Sequence, residues 1–227
     1  MFQDRVEAGE RLGEHLSGMG LEGAVVLGIP RGGVVVAAPV ADALHGPLGV
    51  VVARKLRAPH QPELAIGAVA ADGSYWLEPR AMRILGIDQD YLENELSFQT
   101  GEARRRESMF DGHLRPSVAG HAVVIVDDGI ATGATAMAAV RYMRAMGASP
   151  IVLAVPVASP ERADMLRGEA DRVECLIEDP GLFAVGQYYI DFQTVSDEEV
   201  KRLLLAFASR KRDTQPAQPK QGVRRAS

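Results

Sequence analysis

The chain has 227 residues, a formal net charge of −5, 47% hydrophobic and 24% charged residues, a balance that suits one large α/β domain with a sizeable buried core. No apolar run approaches the roughly 20 residues of a membrane-spanning helix, and the charged opening "MFQDRVEAGERLGEHL" lacks the apolar stretch of an export signal, so a membrane partner and export are not expected. The single cysteine, Cys175, has no partner for an internal disulfide and reads as a small hydrophobe in a strand, consistent with a cytoplasmic location.

The charge is unevenly spread. Residues 210–227, "RKRDTQPAQPKQGVRRAS", carry six Lys or Arg against one Asp, a surplus of five that leaves −10 on residues 1–209. A mildly acidic body argues against a dedicated nucleic-acid-binding protein. The tail has no apolar periodicity and reads as disordered, its charge solvated.

In chain order, a helix reaching about Leu16 sets Val6, Leu12 and Leu16 at helical spacing to cover one face of the core. "GAVVLGI" reads as a buried strand, and "VVVAAPVADALHG" as a helix buried on most sides, in which Pro39 forces a late start or a kink. "LGVVVARK" reads as the second strand of a parallel βαβ unit. "LAIGAVAADGSYWLE" predicts a hairpin turning at Asp72-Gly73, followed by a charged helix from about Asp88, its N-cap, to Phe110, with Leu92, Leu96, Gln99 and Ala103 on one face and a weak point at Gly101. Then "HAVVIVDD", "GATAMAAVRYMRAMG", "SPIVLAVPV", a helix from about Pro160 to Gly168, and "RVECLI" alternate strand and helix. The expected fold is α/β, an open, mostly parallel, doubly wound sheet. It forms a single domain over residues 1–209, with a hairpin and helix inserted at about 57–118 and an accessory segment at about 179–195.

The most informative stretch is "VVIVDDGIATGAT", residues 123–135. Ligands of open parallel sheets bind beyond the carboxyl ends of the strands, where Asp127 and Asp128 should emerge. The following Ala131, Thr132, Gly133, Ala134 and Thr135 lead straight into a helix, so backbone N–H groups, two hydroxyls and the helix dipole converge on one anion site without a lysine. Paired carboxylates beside an anion site suit a ligand that also offers a diol, and Mg²⁺ would offset the excess negative charge. A sugar phosphate fits both halves. There is no G-x-x-x-x-G-K-[ST] loop, and "GIPRGG" does not match G-x-G-x-x-G.

The run resembles the phosphoribosyl pyrophosphate (PRPP) signature of the type I phosphoribosyltransferases: an apolar strand, two acidic residues, then a T-G-x-T loop opening a helix. The resemblance extends over roughly residues 22–178. It implies a Mg²⁺-dependent enzyme that moves the ribose 5-phosphate of PRPP to a nitrogenous acceptor such as a nucleobase and releases pyrophosphate. "GIPRGG" then looks like the pyrophosphate loop, with charge from Arg31 and backbone N–H groups from Gly32 and Gly33. Lys55, at the end of "ARK", is similar in placement to a basic residue that meets the pyrophosphate. "LRAPHQPELAIGA", with Arg57 and His60, resembles the mobile loop that closes over PRPP. Arg31, Lys55, Arg57 and Mg²⁺ would stabilise the leaving group, while Asp127 and Asp128 hold the ribose hydroxyls and reach Mg²⁺, carried by PRPP, only through water. "GLFAVGQYYIDF" is the candidate hood over the acceptor, with Phe183, Tyr188, Tyr189 or Phe192 available to stack on a base or to pack the core.

One departure bears on the acceptor. Hypoxanthine and guanine enzymes of this family carry an aspartate where this chain has Ala131, which weakens the case for a 6-oxopurine. The resemblance also raises a homodimer as the assembly. Two other readings stay open: a PRPP- or nucleotide-sensing regulator on the same fold, with RNA contact through a basic surface, and hydrolysis or synthesis of another phosphorylated sugar. Arg31 and Lys55 could also be ordinary surface charges, and Arg57 and His60 ordinary loop residues.

Overall fold

Asp4 opens the first helix by accepting the N–H groups of Val6 and Glu7 at 2.8 and 2.9 Å, the usual role of an N-cap carboxylate. A computed structural model of the chain describes residues 1–110 and 116–214, with the side chains at 62, 63 and 210–214 outside that description. This helix, α1 (Arg5–Leu16), buries Ala8, Leu12 and Leu16, whereas Val6 is exposed. The helix is present but Val6 is off its inner face, which Ala8, Leu12 and Leu16 form at intervals of four residues.

Strand β1 (Val25–Gly28) is buried throughout and leads into α2 (Gly32–Ala43). Pro39 lies inside α2, which already starts at Gly32, so the late start is excluded. The helix is buried on most sides, as its composition predicts. Strand β2 (Leu48–Val50) pairs parallel with β1 and completes the βαβ unit.

Here the structure departs from the sequence reading. "LGVVVARK" is not one strand: the chain leaves the parallel sheet after Val50, and β3 (Ala53–Ala58) starts a separate antiparallel sheet with β4 (Gln61–Ala70) and β5 (Tyr75–Leu77). Val51 and Val52 are both buried, and an unbroken β-branched run carries no mark of a change of sheet. Residues 56–68, whose sequence resembles a mobile loop, are therefore mostly strand, turning at His60. The hairpin at Asp72-Gly73 is present, with the Asp72 carboxylate accepting the Ser74 N–H at 2.9 Å.

A short helix that the sequence reading did not anticipate, α3 (Pro79–Leu85), begins with proline and ends at Gly86 in the left-handed region, φ 55°. Helix α4 (Gln89–Phe110) follows, with Asp88 accepting the Tyr91 N–H at its start. Its expected inner face holds Leu92, Gln99 and Ala103, together with buried Glu95 and Glu107.

The parallel core then continues through β6 (Val123–Val126), α5 (Ala134–Ala145), β7 (Ile151–Ala158), α6 (Pro160–Arg167) and β8 (Arg172–Glu178). The five core strands lie in the order β2-β1-β6-β7-β8, all parallel and flanked by helices, which is the expected α/β class. After β8 come a single 3₁₀ turn (Val185–Tyr188) and α7 (Asp197–Thr214), which buries Val200, Leu204 and Phe207. Helix α7 runs five residues into the segment read as tail; residues 215–227 lie outside the described residues. No helix among the described residues is long and apolar enough to cross a membrane.

Candidate active site

The strand order reverses between β1 and β6, and there the two loops singled out in the sequence emerge side by side. Gly28 pairs with Val126, and the Ile29 N–H donates to the Val126 carbonyl at 2.8 Å. An open parallel sheet forms its ligand crevice at such a reversal, because the connecting helices leave to opposite sides. "GIPRGG" and "DDGIATGAT" thus become the two walls of one cleft of about 390 Å³, lined by Arg31, Gly32, Asp127, Asp128 and Thr135. The Pro30–Arg31 peptide in the first wall is cis.

Glycine is required at 32 and 33 by close approach. A Cβ on Gly32 would lie 2.0 Å from Asp128 Oδ2, and one on Gly33 would lie 2.7 Å from the Val126 carbonyl oxygen and 2.9 Å from Asp127 Cα. The first loop is therefore pressed against the acidic pair with no room for a side chain. Its neighbour Arg31 is exposed at the cleft.

On the second wall, Asp127 Oδ1 accepts the Asp128 N–H at 2.9 Å. Burial, and then the charge of Asp128, push the Asp127 carboxyl well above the ordinary carboxylate range, against the smaller pull of the Asp128 N–H, Arg5 and Lys55. Burial raises Asp128 as well, offset only in part by Arg5. Helix α5 starts after Gly133, whose φ of 79° places it in the left-handed region, and carries no acidic residue in its first turn. The first N–H groups of α5 have no intrahelical acceptor, so this end is suited to an anion.

The other predicted residues divide. Lys55 is exposed on β3 rather than at the end of a core strand, yet its charge acts on Asp127. Thr135 faces the cleft, while Thr132 and Ala134 line an adjoining cavity of about 360 Å³ beside Trp76, Glu78 and Arg162. Ala131 is exposed, and Gly133 is buried against Met165.

Arg57 does not join the cleft. The register shift between Leu56 and Arg57 breaks the alternation of β3, and the guanidinium turns to α4, where it donates to both oxygens of Glu95 at 2.9 and 3.2 Å. Burial opposes ionisation of Glu95, but the hydrogen bonds from Arg57 and Gln99 outweigh it and hold the carboxyl below its ordinary value. His60 sits at the exposed turn between β3 and β4 with φ 62°.

Sequence reasoning missed Arg5. Its Nε donates to Asp128 Oδ2 at 2.8 Å, its Nη1 donates to the Gln193 carbonyl at 2.9 Å, and its guanidinium lies 3.8 Å from the centre of the Phe192 ring. Tyr189, read as a stacking candidate, is buried against Phe2 and donates its hydroxyl to the Asp128 carbonyl at 2.6 Å. Burial and the Asp128 charge drive its phenol far above the ordinary value, so it remains a neutral donor. Tyr188 donates to Asp179, and Phe183 is exposed.

Among the described residues no group of three or more His, Cys, Asp or Glu could hold a metal ion. A pair of hard carboxylate oxygens without a third ligand fits a magnesium ion that keeps its waters and is carried by a phosphorylated ligand.

The architecture defines a class: an α/β protein with an acidic pair and a helix N-terminus at the switch point of a parallel sheet. A family model described as "Phosphoribosyl transferase domain" matches residues 7–192, and the chain belongs to that family. Two curated proteins of Mycobacterium tuberculosis, "Putative phosphoribosyl transferase MT0597" of strain CDC 1551 and "Putative phosphoribosyl transferase Rv0571c" of strain H37Rv, are each 44% identical over 205 residues. The match covers 90% of this chain but 46% of each relative, so the chain spans about half the length of these curated relatives. Among solved structures, TT1426 from Thermus thermophilus is 46% identical, covers 91% of this chain and 98% of its own, and superposes with a TM-score of 0.77.

Proposed function

We propose that the protein is a phosphoribosyltransferase that binds PRPP with Mg²⁺ and transfers its ribose 5-phosphate to a nitrogenous acceptor. In the reaction the C1–O bond to pyrophosphate breaks, a C1–N bond forms, and the acceptor nitrogen loses its proton. The observation that carries the reading is the single cleft at the β1/β6 reversal, where Arg31, Gly32, the acidic pair and Thr135 meet.

Each wall has a task. The first turn of α5 and Thr135 bind the 5-phosphate, and Asp127 and Asp128 accept from the ribose hydroxyls. Arg31 and the backbone at Gly32 and Gly33 receive the departing pyrophosphate, with Lys55 adding positive charge from β3. Asp127 and Asp128 would hold Mg²⁺ through water, and the ion would supply positive charge to the pyrophosphate. Arg57 and His60 enter only if β3 and β4 rearrange on binding, since Arg57 is committed to Glu95. The exposed methyl of Ala131 leaves the acceptor's polar edge without the carboxylate of 6-oxopurine enzymes, which favours other heterocycles.

The test is pyrophosphate release from PRPP and Mg²⁺ across a panel of purine, pyrimidine and pyridine acceptors. Release with one acceptor, lost in Asp128→Asn, supports the reading. PRPP binding without release across the panel would favour a sensor on the same fold.

A further inference from the structure

Residues 2–5 and 188–193 meet at the acidic pair. Phe2 forms a parallel bridge with Tyr189, and the Phe2, Ile190 and Asp191 N–H groups donate to the carbonyls of Tyr188, Phe2 and Gln3 at 2.7, 2.9 and 2.8 Å. The N-terminus and residues 188–193 are thereby one body, and it grips Asp128 twice. Arg5 holds the side chain through Oδ2, and Tyr189 holds the main chain through the carbonyl oxygen. The backbone at Gly32 leaves no space for even a methyl group beside this contact, since a Cβ there would lie 2.0 Å from Asp128 Oδ2 and 2.7 Å from Arg5 Nε.

We propose that Arg5 and Tyr189 are positioning residues for ribose recognition: they fix Asp128 with Oδ2 occupied and its other carboxylate oxygen presented to a ligand hydroxyl. The inference rests on the sugar-phosphate reading above and adds residues that lie outside both signature loops. A carboxylate that must be ordered at the moment of binding spends affinity on that ordering, and one already fixed does not. The Arg5 side chain is 11% exposed and the Asp128 side chain 17%, so this charge-assisted bond is poorly screened by solvent. The arrangement also links the hood segment to the ribose-holding pair, since Arg5 bonds Gln193 and stacks on Phe192 in the same pose.

The test compares two probes that use different parts of the cleft, ribose 5-phosphate and inorganic pyrophosphate, by calorimetry on the full chain. Arg5→Gln should weaken ribose 5-phosphate by about tenfold or more, the loss expected of one charge-assisted bond, and leave pyrophosphate within about twofold. Arg5→Lys should recover part of the loss. Tyr189→Phe keeps the ring on Phe2 and should weaken ribose 5-phosphate by about threefold to tenfold, again with pyrophosphate unchanged. It keeps the inference falsifiable should Arg5→Gln disturb the fold. Equal loss for both probes would mean a merely structural role and overturn the proposal, as would wild-type affinity for ribose 5-phosphate in both variants. If the wild-type protein binds no ribose 5-phosphate, the sugar-phosphate reading itself fails and this inference falls with it.

Discussion

Arg31 and Arg57 each lie just beyond an apolar stretch that reads as a strand, yet the fold gives them opposite fates. Arg31 stands exposed at a cleft whose walls are backbone and two carboxylates. Arg57 is tied to Glu95 of α4, whose side chain is only 8% exposed, and that carboxylate also accepts the Arg57 N–H and Gln99 Nε2. The loop after β1 is tight at Gly32 and Gly33 and leaves Arg31 exposed at the cleft; the antiparallel sheet commits its arginines to a neighbouring helix. Arg54 repeats the second pattern by donating to Gln99 at 2.9 Å. A cation near a strand end is thus free for a ligand only where no element packed against the strand supplies a buried acceptor.

Substitutions can break this contrast. Gly33→Ala should have the largest effect, because its Cβ would meet backbone at 2.7 Å and the loop must move off the acidic pair. PRPP affinity measured by calorimetry is expected to fall about a hundredfold or more, with a stability loss of about 1–3 kcal/mol. Arg31→Gln should weaken PRPP by about tenfold, whereas Arg57→Gln should change it less than about twofold. Equal losses at the two positions would erase the distinction. Glu95→Ala should leave PRPP binding intact but cost about 1–3 kcal/mol in denaturant unfolding, since Gln99 and the Arg57 N–H lose their acceptor inside the fold.

A smaller effect concerns pH. Burial raises both aspartates above their unfolded values, and the charge of Asp128 raises Asp127 further, so the folded state binds protons more tightly than the unfolded chain. The resulting stability is fully present below the ordinary carboxylate range and is lost as pH rises through the raised values. Asp127→Asn should therefore be more stable than wild type at about pH 8, with the difference shrinking toward about pH 4. A melting-temperature difference that stays constant with pH would contradict this.

The cleft was largely legible in the sequence because its two walls are local stretches of chain. Strand, acidic pair and loop are contiguous in residues 123–135, and "GIPRGG" follows β1 without a break. The antiparallel sheet was not, since the run Val50-Val51-Val52 passes without a break through the point where the chain leaves the parallel sheet. Arg57 was misread as a loop residue because its partner lies 38 residues away on α4. Arg5 was invisible for the same reason, 123 residues from Asp128. Helix α7 was not anticipated, although its start carries a local signal: in "SDEE", Ser196 and Glu199 form a capping box, each accepting the other's backbone N–H.

The acidic pair and the α5 terminus stand or fall together as one sugar-phosphate site. The decisive measurement is calorimetric titration of the wild-type protein and Asp128→Asn with PRPP in the presence of Mg²⁺. Saturable binding to wild type is expected, with a loss of about tenfold or more in the variant. Identical affinity in both proteins, or no binding to either, would contradict the assignment.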